Sequence, residues 1–155
     1  MSALIALMSL FAAAIGNAQT RCEAVRVSGI TVEPELYKSY TKLKIFDDSA
    51  SYGELILDDE GLGHECYALK GFEHAGLVMI HHRTAAIGTS VLVQKELLSF
   101  YRVSERGLEI VDQIELAHTE ETKSGKTTLF RRSFKVHASG NTLRVVAGTK
   151  TYLIK

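Results

Sequence analysis

The chain is dominated by short windows in which apolar and polar residues alternate, as in strands with one buried face. Residues 41–46 (TKLKIF) place Leu43 and Ile45 on one face and two lysines on the other. Segments rich in Gly, Ser, Asp and Asn separate these windows and are typical of turns. The pattern predicts about eight or nine short strands, with further windows at residues 54–57, 77–82, 90–93, 99–103, 108–116, 127–137, 142–147 and 149–154.

Many short strands joined by tight turns predict an all-β, mainly antiparallel fold. The expected architecture is a small β-barrel or a two-sheet β-sandwich of about eight strands. Two stretches are ambiguous. Residues 32–40 suit a single helical turn, with Pro34 where a first turn tolerates it. Residues 94–100 have helix-forming composition but the length of a strand. Without long helices between the strands, nucleotide-binding α/β folds are excluded.

The amino terminus has the pattern of an export signal. Residues 3–15 are an uncharged apolar run of about a dozen residues, whereas a membrane-spanning helix needs roughly 20. The small residues Gly16 and Ala18 suit signal peptidase, although no Lys or Arg precedes the run. We therefore predict a signal peptide at residues 1–18 and a single β-rich domain at residues 19–155. The alternatives are cleavage after Gly16 and a buried N-terminal helix.

Export would place the protein in the periplasm or outside the cell, where thiols oxidise. The chain has two cysteines, so only one intrachain disulfide is possible, Cys22 with Cys66. It would close a loop of roughly 45 residues and stabilise the fold by about 4 kcal/mol in the chain-entropy model. No second long apolar segment follows the leader, so no membrane anchor is expected.

One pair of opposite charges falls on faces that are otherwise apolar. In residues 108–116 the even positions are apolar except Asp112, and in residues 128–136 the only charge at even positions is Arg132. A hairpin centred near residues 121–123 would set the two opposite each other. A buried charge is costly unless it is paired. Asp112 and Arg132 are therefore predicted to form an interior ion pair that fixes register, or to contact a polar ligand.

Composition narrows the function classes further. The 18 basic and 18 acidic side chains cancel, which leaves no excess of cations for nucleic-acid binding. The six histidines form no recognisable metal motif, and His81 and His82 should point to opposite faces of a strand. No Gly-x-Ser-x-Gly nucleophile motif is present. We therefore assign no catalytic residue, metal or cofactor, and we expect the histidines to lie on the surface, at strand ends and in loops.

These observations favour binding over catalysis. The primary expectation is a soluble exported protein that acts through protein–protein recognition, in the manner of an inhibitor or immunity protein. The alternative is a small-molecule carrier with a ligand cavity inside a β-barrel, in which Asp112 and Arg132 would line the interior.

Overall fold

The computed structural model describes residues 22–58 and 63–155. The predicted signal peptide and residues 19–21 lie outside the described residues. The described chain forms strands and one short 3-10 turn, Glu73–Ala75. The strands are β1 (Val25–Val27), β2 (Ile30–Leu36), β3 (Tyr40–Phe46), β4 (Ser51–Asp58), β5 (Glu65–Phe72), β6 (Leu77–Ile87), β7 (Leu92–Ser104), β8 (Gly107–Thr122), β9 (Gly125–Arg131), β10 (Phe134–Ser139), β11 (Thr142–Ala147) and β12 (Lys150–Ile154).

All paired strands are antiparallel and adjacent in sequence. They form a four-stranded sheet β1–β4, a five-stranded sheet β5–β9 and a three-stranded sheet β10–β12. The all-β antiparallel prediction is confirmed. The expected number of about eight strands is wrong: the described residues contain twelve, in three sheets with a half-barrel-like curl. The expected strand at residues 127–137 divides at Arg132 and Ser133, where the chain passes from one sheet to the next.

The five-stranded sheet is the middle layer. The run Leu77–Ile80 in β6 is buried throughout, because consecutive side chains face opposite sides and both sides are covered. One side packs against the four-stranded sheet in an apolar cluster that includes Val32, Leu43, Val78, Ile80 and Tyr101. The other side packs against the three-stranded sheet in a cluster that includes Leu77, Met79, Phe100, Leu143 and Ile154.

The first two sheets also contact each other where β1 lies beside β5 and where β4 lies beside β8. Gly71 of β5 sits so close to β1 that a Cβ atom there would lie 2.7 Å from Cγ2 of Val27. The predicted disulfide is confirmed near the contact of β1 with β5, where Cys22 and Cys66 are bonded with a Cα–Cα distance of 5.8 Å. It joins the segment before β1 to β5.

The helical turn expected within residues 32–40 is wrong, because most of this segment belongs to β2. Pro34 pairs with Leu43 of β3, and β1 reaches along β2 only as far as Val32. The side of β2 that faces away from β3 is therefore an open edge at Pro34, where the missing N–H breaks no ladder hydrogen bond. The other ambiguous stretch, residues 94–100, lies within β7.

Candidate functional site

A solvent-open groove of about 460 Å³ lies on one face of the five-stranded sheet, and we call it the polar groove. Strand β6 explains its position. Leu77 and Met79 pack beneath the three-stranded sheet. His81 and Arg83 continue the same face of β6, because side chains alternate along a strand, and they line the groove. The ring of Phe134, the first residue of β10, packs edge-on against His81 at the boundary between the groove and the apolar core.

Cations outnumber carboxylates in the groove. Four cationic side chains and one carboxylate line it: Arg83, Lys95, Lys126, Arg131 and Glu96. Among the lining residues, with His81 left out of the count, the formal excess is three positive charges, in a chain whose total charge is zero. Glu65 and Glu115, which pair with Arg83 and Lys95 from outside the lining, reduce this excess to one. Such a concentration of one sign in a recess focuses the field and attracts ligands of the opposite sign.

Glu96 is shared between two groove residues. Its Oε1 lies 2.6 Å from Nε2 of His81, and its Oε2 lies 3.4 Å from Nη1 of Arg131. The His81–Glu96 contact is the shorter of the two and is mostly shielded from solvent, with 17% and 20% of the two side chains exposed. The Arg131 side chain is 70% exposed, so its guanidinium is available to a second anion.

The remaining cations differ in how far they are neutralised. Nη2 of Arg83 lies 2.8 Å from Glu65, while its Nε is buried and has no hydrogen-bond partner among the described residues. Lys95 is paired with Glu115 at 3.1 Å. Lys126 is exposed and has no ion-pair partner in the described part of the chain. Lys126 and Arg131, both on β9, are therefore the cations most open to a ligand.

A second polar feature is a buried chain of hydrogen bonds on the opposite face of the five-stranded sheet. Nδ1 of His64 lies 2.9 Å from Oγ1 of Thr41, and Nε2 of His64 lies 2.9 Å from Nδ1 of His82. Nε2 of His82 lies 2.8 Å from Oγ of Ser99, which also accepts a hydrogen bond from Gln113 at 2.8 Å. This chain of hydrogen bonds links the four-stranded sheet to the middle layer.

His82 is a neutral imidazole in this chain of hydrogen bonds at ordinary pH. Burial, aided by the nearby His64 and His81, lowers the pKa of His82 to about 3. A neutral ring has one N–H, so His82 donates a hydrogen bond to one of its two partners and accepts one from the other. Ser99 beside His82 has the spacing of a nucleophile and its base. However, Ser99 is 0% exposed, so no substrate can reach it and the chain is structural in this conformation.

The structure does not bring Asp112 and Arg132 together. The hairpin between β8 and β9 forms, but the predicted register is wrong: Glu121 pairs with Lys126, and β9 ends after pairing Arg131 with Ala117. Asp112 lies opposite Phe100 and accepts a hydrogen bond from the N–H of Gln113. Arg132 instead stacks on Phe130, 4.5 Å from the ring centroid. A β-bulge between His118 and Thr119 adds to the shift.

The expectation of surface histidines is wrong for two of them, since His64 and His82 are 5% and 3% exposed. The prediction that His81 and His82 point to opposite faces of their strand is confirmed, because His81 lines the groove and His82 joins the buried chain. Within residues 22–58 and 63–155, no three His, Cys, Asp or Glu side chains converge as metal ligands. No helix in these residues has the length and apolar character needed to cross a membrane.

Sequence reasoning missed the polar groove. A signal was nonetheless present: the apolar run of β6 gives way to His81, His82 and Arg83, which are polar on both faces of the strand. A strand that loses its buried apolar positions in this way leaves one face of its sheet open. Comparison of the chain with protein-family models, with curated proteins and with solved structures found no match.

Proposed function

We propose that the protein is an exported, non-catalytic binding protein that recognises an acidic segment of a partner protein in the polar groove. The observation that carries the proposal is the excess of cations in the groove, with Lys126 and Arg131 accessible at one side. The disulfide between Cys22 and Cys66 and the apolar leader support export.

A partner protein suits the groove better than an enclosed small molecule. The spaces between the sheets are filled by two clusters of buried apolar side chains, so the groove is a surface feature and not a cavity in the core. Carriers of small molecules bury most of the ligand surface in largely apolar pockets. An open groove lined by charged side chains instead suits recognition of a segment that stays attached to a larger molecule.

The proposal is tested with a blocked hexaglutamate peptide, titrated calorimetrically into the oxidised full-length chain at low and high salt. We expect binding that weakens as salt rises. Reversal of both accessible groove charges, Lys126→Glu with Arg131→Glu, should weaken binding by about tenfold or more. The matched control is Lys135→Glu with Lys150→Glu, two exposed lysines outside the groove that give the same change in net charge.

Equal affinity of the reversal variant and the control variant would contradict recognition in the groove, as would a lack of binding at low salt. Native mass spectrometry of the protein from its own host tests the carrier alternative. A small molecule retained on the folded chain and lost on denaturation would favour the carrier over protein recognition.

A further inference from the structure

Strand β9 is the free edge of the five-stranded sheet. In the described chain it pairs with β8 alone, and its residues are exposed except Phe130, which is partly buried. An edge strand presents unpaired N–H and C=O groups that can pair with another strand. The same strand forms one side of the polar groove, so a segment bound in the groove lies within reach of this edge.

The groove-facing side chains of β9 follow from its register. Lys126, Thr128 and Arg131 line the groove, where they neighbour β8. Oγ1 of Thr128 lies 3.4 Å from Oγ1 of Thr119 on the groove floor. The two cations are five positions apart, and they share one face because the register shifts within this hairpin.

We propose that the acidic partner segment binds as an added strand along β9, with alternate side chains directed into the groove. This inference rests on the proposed function and specifies how the partner is held. Main-chain hydrogen bonds to β9 would supply affinity, and the groove would select the side chains, as is general for strand addition to a sheet edge.

The positions of the cations predict the pattern of the segment. Side chains opposite one another on neighbouring strands form cross-strand pairs, and opposite charges there are favourable. β8 crosses the register shift of β9 with alternate residues, Glu121, Thr119 and Ala117, opposite Lys126, Thr128 and Arg131. In an added strand that crosses the shift in the same way, three alternate residues should be acidic, polar and acidic. The intervening residues face the other side of the sheet and carry no charge requirement.

The probe is a blocked heptapeptide with Glu at its second and sixth positions, Thr at its fourth and Val elsewhere. A control peptide of identical composition has the second Glu moved by one position, which places the two acids on opposite faces of a strand. We expect the in-phase peptide to bind at least about tenfold more tightly than the control, because only it pairs both cations.

Backbone methylation tests the strand itself. An added edge strand uses the N–H groups of alternate residues, so methylating one alternate set should abolish binding, while methylating the other set should leave it nearly unchanged. Amide exchange of the free and bound protein provides a second measurement. We expect slower exchange along β9 and no change along β12, an edge strand of another sheet.

The outcomes separate this inference from the proposed function. If both methylated peptides bind like the parent, or if hexaglutamate binds and the in-phase peptide does not, strand addition is refuted while charge recognition in the groove stands. If no acidic peptide binds, the proposed function fails as well. A second copy of the chain paired through β9, seen as a dimer in sedimentation that the peptide cannot displace, would also overturn the inference.

Discussion

Between about pH 7.5 and pH 5 the free energy of unfolding of the protein should fall, and replacing His82 with Gln should abolish most of that fall. In the native fold His82 is buried and hydrogen-bonded to His64 and Ser99, and its pKa is lowered from 6.5 to about 3, mainly by burial. In the unfolded chain the ring of His82 takes up a proton near pH 6.5, whereas in the native chain it stays neutral at that pH. Protons therefore favour unfolding as the pH falls below 6.5.

The magnitude follows from the two pKa values. With 6.5 in the unfolded state and about 3 in the native state, the free energy of unfolding falls by about 2 kcal/mol from pH 7.5 to pH 5. Carboxylates with lowered native pKa values act at lower pH. Hydrogen bonds from Lys44 and Lys42 lower the pKa of Glu35 from 4.5 to about 2, so its contribution is lost only near and below its ordinary value. The interval above pH 5 therefore separates the effect of His82 from that of these carboxylates.

The measurement is urea unfolding of the oxidised protein at several pH values, with the free energy extrapolated to water. His82→Gln should show a shallower pH dependence than the wild type, whereas His137→Gln, at an exposed histidine, should match the wild type. If the Gln variant does not fold, the ring of His82 in the wild type can be followed by NMR, and it should stay neutral down to about pH 4. Titration of that ring near 6.5, or equal slopes for wild type and the Gln variant, would refute the reasoning.

Three further predictions concern stability. Replacing Cys22 and Cys66 with Ala should cost about 4 kcal/mol by the chain-entropy model, and a change below about 1 kcal/mol in urea unfolding would contradict a structural role for the bond. Gly71→Ala should cost about 1–3 kcal/mol by overpacking against β1, and an unchanged melting temperature would show that β1 can move aside. Asp112→Ala and Arg132→Ala should have additive effects on the free energy of unfolding, because the register separates the two residues. A coupling energy above about 0.5 kcal/mol in a double-mutant cycle would contradict this and support the predicted ion pair.

The fold class was predictable because alternation is a local property. Residues 41–46 alternate cleanly since one face of β3 packs into the core and the other carries lysines paired with Glu35. The number and grouping of strands were not predictable in the same way. β1 has only three residues, too few to show a period, and the division between β9 and β10 at Arg132 depends on which sheet each half joins.

The candidate site depends on tertiary information that the periodicity does not contain. Register in a hairpin is set by the turn and by bulges, and one extra residue is enough to change which side chains meet. Here the turn sets Thr122 opposite Gly125, and the bulge between His118 and Thr119 shifts the pairing by one further residue. The pairing of Asp112 with Arg132 assumed an unbroken register, whereas the actual register brings Lys126 and Arg131 to the groove face.

The two polar features are connected through one strand. His81 and His82 are consecutive in β6, so their side chains project to opposite faces of the middle sheet, one into the polar groove and one into the buried chain. The hydrogen bonds of His82 to His64 and Ser99 hold this part of β6 on the face that packs against the four-stranded sheet. The position of His81, and through it that of Glu96, depends on that backbone. A substitution at His82 should therefore weaken peptide binding in the groove as well as alter the pH dependence, whereas one at His137 should do neither.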